Sequence, residues 1–209
     1  MTPLEHIGIA VDDADAVIDT YETLLEALPY AAESVASQQV RTHFIAAGSA
    51  KLELLESLGP ESPIATYLER RGEGLHHLAF SVDDIDATMT RLRDAGFRLL
   101  NDTPQPGADG KQVVFIHPKD THGVLVECCA DGPLTLSPTS ISYRDGTLAM
   151  YEMGASHNPP LLMLHGAAGS TLSETADLMR HLKPYFHVMA VDFTGHGASS
   201  SLDTPFTAD

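Results

Sequence analysis

The spacing of apolar positions changes several times along the chain, and each change predicts an element. Residues 4 to 11 (LEHIGIAV) read as a strand. Residues 13 to about 27 then place Val17, Tyr21, Leu24 and Leu25 on one helical face, with Asp13 as the N-cap. Residues 40 to 46 (VRTHFIA) and 51 to 56 (KLELLE) are predicted strands around a turn at Gly48-Ser49, and residues 63 to 71 a short helix opened by Pro63. The order then returns. A strand is expected over 74 to 82, a helix over 84 to 95 stopped by Gly96, and a strand over 97 to 101 (FRLLN). The turn-rich stretch TPQPGADGK leads to final strands over 112 to 117 and 123 to 129.

This return is a duplication. Leu4-Glu5-His6-Ile7-Gly8-Ile9-Ala10-Val11-Asp12-Asp13 recurs 71 positions later as Leu75-His76-His77-Leu78-Ala79-Phe80-Ser81-Val82-Asp83-Asp84. The chain therefore predicts an α+β fold in which two βαβββ modules, about 4–58 and 74–129, pair into one cupped sheet. That domain ends near residue 130. Residues 131 to 140 resemble a linker, with two prolines and a glycine. Beyond it the pattern becomes β-α-β, with a hairpin turning at Asp145-Gly146, a continuous apolar run PLLMLHG typical of a buried parallel strand, a helix SETADLMRHL, and a second strand FHVMAVD.

Composition narrows the function classes. The net charge of -17 argues against nonspecific nucleic-acid binding, which draws on clustered Lys and Arg. An anionic substrate would need a local basic patch, and Arg70, Arg71, Arg91, Arg93, Lys111 and Lys119 all fall in or just before the second module. No apolar run approaches the roughly 20 residues that span a bilayer, and the N-terminus lacks the basic-then-apolar pattern of a signal peptide. Cys128 and Cys129 are adjacent, without zinc-finger spacing, which suits a reducing cytoplasm.

The duplication also selects the candidate chemistry. His6 and His77 occupy the same repeat position. His76 is expected to face the other way, because side chains alternate along a strand. The last strand of each module carries a glutamate among aliphatic residues, Glu53 and Glu127, and such carboxylates are costly to bury unless paired or metal-bound. Two imidazoles and two carboxylates suit a divalent ion such as Zn, Co, Ni, Mn or Fe(II), and the sequence does not rank these. His43 and His117 are read as structural or supporting histidines.

The segments GPESPIATYLERRGEGLHHLAFSVDDIDA and ADGKQVVFIHPKDTHGVLVE resemble those of the vicinal-oxygen-chelate superfamily, and within it the methylmalonyl-CoA epimerases, over roughly residues 3 to 129. The resemblance implies His6, Glu53, His77 and Glu127 as the ligands of a divalent metal ion. It implies an acyl-CoA substrate whose C2 proton is removed and returned on the opposite face, the metal stabilising the enolate as a Lewis acid. Two acid/base groups are then needed. Glu127 is expected on one face; Glu53, a metal-bound water or a histidine such as His43 are the candidates for the other. A family glutamate on the third strand aligns here with Thr42, so its role is not carried over. Lys111 and Lys119 are candidates for the CoA phosphates, and homodimerisation is common in the superfamily. The alternatives on this fold are a glyoxalase-type lyase and a sequestering module; a ring-cleaving dioxygenase fits less well because of the extra Glu53.

Residues 161 to 170 (LLMLHGAAGS) and 191 to 200 (VDFTGHGASS) resemble the start of an α/β-hydrolase. The nucleophile elbow of that family is not found in the chain, so hydrolase activity is not expected. His165 and His196 are read as turn residues of this incomplete α/β-hydrolase-like segment, 141–209, with the backbone N–H of Ala167 at the place of an oxyanion-hole donor.

Overall fold

A computed structural model describes residues 2–134 and 136–201. The chain divides into two compact units, residues 1–133 and 134–209.

In the first unit, β1 (Leu4–Val11), α1 (Ala14–Leu25), β2 (Pro29–Val35), β3 (Val40–Ala47) and β4 (Ala50–Ser57) form one module, and α2 (Pro63–Arg71) links it to the next. The second module holds β5 (Gly74–Ser81), α3 (Ile85–Asp94), a two-residue β6 (Gln105–Pro106), β7 (Lys111–Ile116) and β8 (Leu125–Asp131). The eight strands form one sheet in the order β2-β3-β4-β1-β5-β8-β7-β6. Within each module the first strand pairs in parallel with the last, β1 with β4 and β5 with β8, and the modules meet through the antiparallel β1–β5 pair. The duplication thus becomes a pseudo-twofold whose axis passes between β1 and β5.

Local chemistry sets the element ends. Asp13 and Asp84, equivalent in the repeat, both cap their helices by accepting the N–H of Ala16 and Ala87. Ser62 caps α2 through the N–H of Ile64, and Pro63 stands in its first turn. Gly96 follows α3 with φ +86°, the left-handed conformation that ends helices. The helices cover one face of the sheet: Ile85, Met89 and Leu92 of α3 pack with Val114, Ile116 and Cys128, while Val17, Ile18, Tyr21 and Leu25 of α1 pack with Ile45 and Leu54.

Two expectations are corrected. The strand over 97–101 is reduced to a single bridge, Leu99 with Ile116; the ladder contacts of this stretch are the N–H of Leu100 to Phe115 and the N–H of His117 to the Arg98 carbonyl. Asp120 accepts from the Arg98 guanidinium and backbone N–H, which holds this stretch by side-chain contacts instead. Conversely, β2 is a strand to which the apolar spacing gave no bounds, since PYAAESV is largely small and polar and gains its place by pairing with β3.

The second unit is a four-stranded sheet, β11 (Pro160–Leu164), β12 (His187–Val191), β10 (Gly146–Met153), β9 (Thr139–Tyr143), in that order. β11 and β12 are parallel, joined through α4 (Thr171–Glu174) and α5 (Ala176–Leu182), as the β-α-β pattern predicts. Its core is Ala149, Tyr151, Met179, Val188 and Ala190. The hairpin turns at Arg144-Asp145, one residue earlier than expected, with Arg144 in the left-handed region. The expected single helix breaks at Thr175, whose hydroxyl donates back to the Thr171 carbonyl. The apolar run PLLML is a parallel strand but an edge one, with Leu162 58% and Leu164 57% exposed. Residues 202–209 and Thr135 of the linker lie outside the described residues. Among the described residues, no helix is long and apolar enough to cross a membrane.

Candidate metal centre

The four residues expected from the duplication converge. They come from the four central strands of the first unit: Glu53 from β4, His6 from β1, His77 from β5 and Glu127 from β8. All four are buried. Gly8 is paired with Glu53 on one side and His77 on the other, while Ala79, its repeat equivalent, is paired with Glu127 and His6. These two small residues form the floor over which the larger side chains meet.

The Nε2 atoms of His6 and His77 lie 2.9 Å apart. A Glu53 carboxylate oxygen is 3.0 Å from His6 Nε2 and 3.6 Å from His77 Nε2. Glu127 oxygens stand 3.9 Å from His6 Nε2 and 3.5 Å from His77 Nε2. Donor atoms each about 2.1 Å from one divalent ion are separated by roughly 3.0–3.4 Å in octahedral or tetrahedral geometry. The observed separations bracket that range, so the donor set fits a divalent ion. One donor atom each from His6, His77 and Glu127 lie within 4.8 Å of one another. Glu53 joins them through the two imidazoles.

The charges are arranged to match. Burial pushes the Glu127 carboxyl up, to about 8, with the nearby Glu53 and Glu5 adding to the shift against the pull of His6. Burial works against a charge on His6, but Glu53 and Glu5 hold its imidazole protonated well above the usual histidine range. Burial, joined by the charge on His6, pushes His77 down. Burial likewise opposes ionisation of Glu53, yet His6 and His77 keep it well below the ordinary carboxylate range. The Thr42 hydroxyl donates to Glu53 at 2.9 Å, so this position orients a carboxylate instead of supplying one.

The centre opens into a cavity of about 430 Å³ with both polar and apolar walls, among them Val35, Leu55, Ile64, Leu100 and Phe115. The same cavity is lined in part by an ion-pair network that sequence reasoning missed. Lys51 Nζ lies 2.8 Å from Glu5 and 2.6 Å from Asp109; Lys111 Nζ lies 2.8 Å from Asp131 and 3.6 Å from Glu5. Asp109, at φ +60° in the loop before β7, also donates its N–H to Glu33 of β2. The loop of one module is thus clasped by two strands of the other.

The expectation for His76 is overturned. It lines the same cavity as His77, and their Nδ1 atoms are 2.9 Å apart. The reason is a β-bulge. The β1–β5 register shifts by one residue at Glu5 and again at His76, and a bulged residue escapes the strict alternation. A signal was present: at both repeat positions two polar residues stand side by side in an otherwise apolar strand.

The remaining candidates separate. Lys111 lines the cavity, while Lys119 is exposed on the turn Pro118–Asp120. His43 is buried but does not line the cavity that its neighbours Thr42 and Phe44 line, so it faces the other side of β3 and is not placed for proton transfer. His117 accepts the N–H of Lys119 and caps a turn. In the second unit, His165 accepts the Phe193 N–H and His196 bonds the Ala167 carbonyl, as turn residues.

The fold and the site together define a class. The profile of the Glyoxalase/Bleomycin resistance protein/Dioxygenase superfamily matches residues 5–115, and the chain belongs to that superfamily. Within it the likeness runs to the epimerases. The chain is 43% identical over 126 residues to the ethylmalonyl-CoA/methylmalonyl-CoA epimerase of Cereibacter sphaeroides, covering 59% of this chain and 94% of that protein. The crystal structure of methylmalonyl-CoA epimerase from Mycobacterium tuberculosis superposes with a TM-score of 0.60 at 38% identity, over 62% of this chain and 88% of that one. A Streptomyces coelicolor methylmalonyl-CoA epimerase in complex with 2-nitronate-propionyl-CoA gives 0.61 at 36% identity, over 64% and 99%. These matches cover the first unit, and the expectation of an α/β-hydrolase-like second unit rests on the sequence segments 161–170 and 191–200 alone.

Proposed function

We propose that this chain is a metal-dependent epimerase interconverting the (2R) and (2S) forms of methylmalonyl-CoA. The observation that carries the reading is the convergence of His6, Glu53, His77 and Glu127 from four central strands into one buried donor set facing the cavity. The relatives with this fold are named for that reaction, and one is bound to an acyl-CoA analogue.

A divalent ion held by His6, Glu53, His77 and Glu127 would supply Lewis-acid stabilisation to the enolate oxygen. The chain's own residues do the rest. Glu127, whose carboxyl is pushed up by burial, is the candidate for taking the proton from C2 on one face. Glu53 stays ionised and is held by Thr42, which suits it to ligation; it is also the candidate group on the second face. The apolar walls exclude water from the acyl group. Lys111, on the cavity wall but engaged with Asp131, and the exposed Lys119 are both candidates for the CoA phosphates. Co, Zn, Ni and Mn all suit the donors. A cytoplasmic setting accords with two unbridged buried cysteines, and a homodimer with the habit of the superfamily. We assign residues 141–209 to a hydrolase-like segment, on the likeness of residues 161–170 and 191–200.

The test is hydrogen exchange. The chain is stripped of metal, reloaded with Co(II), and incubated with (2R)-methylmalonyl-CoA in D2O while proton NMR follows the C2 proton. Metal-dependent loss of that signal, absent in His77→Ala, is the expected result. No exchange from protein that still binds the ion tightly would move the function to a glyoxalase-type substrate.

A further inference from the structure

The two bulges of the β1–β5 pair fall at equivalent positions of the repeat, Glu5 and His76. Each turns its side chain onto the Nδ1 atom of the metal-site histidine that follows it. Glu5 contacts His6 Nδ1, and His76 Nδ1 lies 2.9 Å from His77 Nδ1. An imidazole that offers Nε2 to a cation must carry its proton on Nδ1, and that N–H then needs an acceptor.

We propose that Glu5 and His76 are paired positioning residues, which fix the tautomer and ring orientation of His6 and His77 by accepting their Nδ1–H groups. The duplication supplies the two places, and divergence has filled them unequally. Glu5 is an acceptor anchored by Lys51 at 2.8 Å and Lys111 at 3.6 Å. His76 is a ring held edge-on by Tyr67 at 5.0 Å. To accept from His77 at Nδ1, His76 carries its own proton on Nε2. A charged acceptor makes the stronger hydrogen bond, so the Glu5–His6 arm dominates the grip on the ion and the His76–His77 arm is the weaker one. The bulges are what make this possible: in unbroken alternation both residues would point to the helix-covered face.

The inference rests on the metal-centre reading, and the experiment separates the two. Zn(II) affinity of the full chain is measured by chelator competition for the wild type and for Glu5→Gln, Glu5→Ala, His76→Gln and His76→Leu. The Co(II) absorption spectrum and the thermal midpoint of the metal-free proteins are recorded alongside. Loss of an outer hydrogen-bond partner weakens metal affinity by roughly 10–100-fold. The expected order is Glu5→Ala weakest, Glu5→Gln partly restored, His76→Leu mildly weakened and His76→Gln near wild type, because the Gln carbonyl still accepts from His77. The Co(II) bands shift in Glu5→Ala and His76→Leu but not in His76→Gln. If the wild type fails to bind Zn(II), the metal-centre reading falls. If it binds and both Glu5→Gln and His76→Leu bind equally well with unshifted Co(II) bands, the positioning roles are overturned while the centre stands. Should Glu5→Ala fail to fold, the isosteric Glu5→Gln still decides.

Discussion

Gly8 lies directly beneath His77: a Cβ on Gly8 would stand 2.3 Å from the His77 Cε1 and 2.5 Å from its Nδ1. The close approach is what allows the imidazole to lie over β1 and reach His6. Gly8→Ala is therefore expected to displace the ring. Overpacking of this kind costs about 1–3 kcal/mol, and the larger effect falls on metal affinity, with loss of the greater part of Zn(II) binding in a competition titration. An unchanged affinity would show that the ring has room the packing denies.

Substitution of Glu127 tests the proposed ligation and proton transfer separately. Glu127→Gln keeps an oxygen donor of the same reach but cannot take a proton. Deuterium exchange at C2 is expected to fall about 10²–10⁴-fold, with metal affinity changed far less. If exchange persists near the wild-type rate, another group is the base.

The metal-free centre holds protons that an ion must displace. Glu127 loses its proton near 8 and His6 near 10, so near pH 7 both are protonated. Metal uptake is expected to release about two protons below pH 8 and about one between 8 and 10, steepening the rise of affinity with pH accordingly. Calorimetry in buffers of different ionisation enthalpy counts them. The sign for the fold follows from the same shifts. Both groups have raised values, so their contribution to metal-free stability is present below 4.5 for Glu127 and 6.5 for His6 and is lost as pH rises through about 8 and 10. The thermal midpoint of the metal-free protein is expected to fall from pH 6.5 to pH 9.

Lys51 is the cation between Glu5 and Asp109 and is 8% exposed. Lys51→Met leaves two carboxylates facing each other without it. Breaking a buried pair from one side costs roughly 3–5 kcal/mol, so a marked drop in the urea midpoint is expected, read by circular dichroism. A change below about 0.5 kcal/mol, the usual size for a surface substitution, would mean the network is solvated.

The second unit has one small core and an edge strand with two exposed leucines. Limited proteolysis of the whole chain is expected to cut residues 141–201 before residues 1–130. Equal rates would contradict the lower stability inferred from its exposed apolar edge.

The duplicated strand made much of this protein legible. One aligned histidine per copy and one isolated glutamate per closing strand single out His6, His77, Glu53 and Glu127, which the fold brings together, because a repeat places equivalent residues at equivalent positions. The helix starts at Asp13 and Asp84 were legible for the same local reason, a carboxylate able to cap the next turn. Tertiary structure decided what alternation could not. The bulges at Glu5 and His76 arise only when β1 and β5 pair, and they bring to the site a histidine that strand geometry alone sends to the opposite face. The pairing of Lys51 with Asp109 spans 58 residues and depends on the loop before β7 folding back onto β4, a contact that no local pattern encodes. FRLLN is apolar enough to read as a strand, yet the cross-sheet partner leaves it one bridge, because pairing is a property of two segments and not of one.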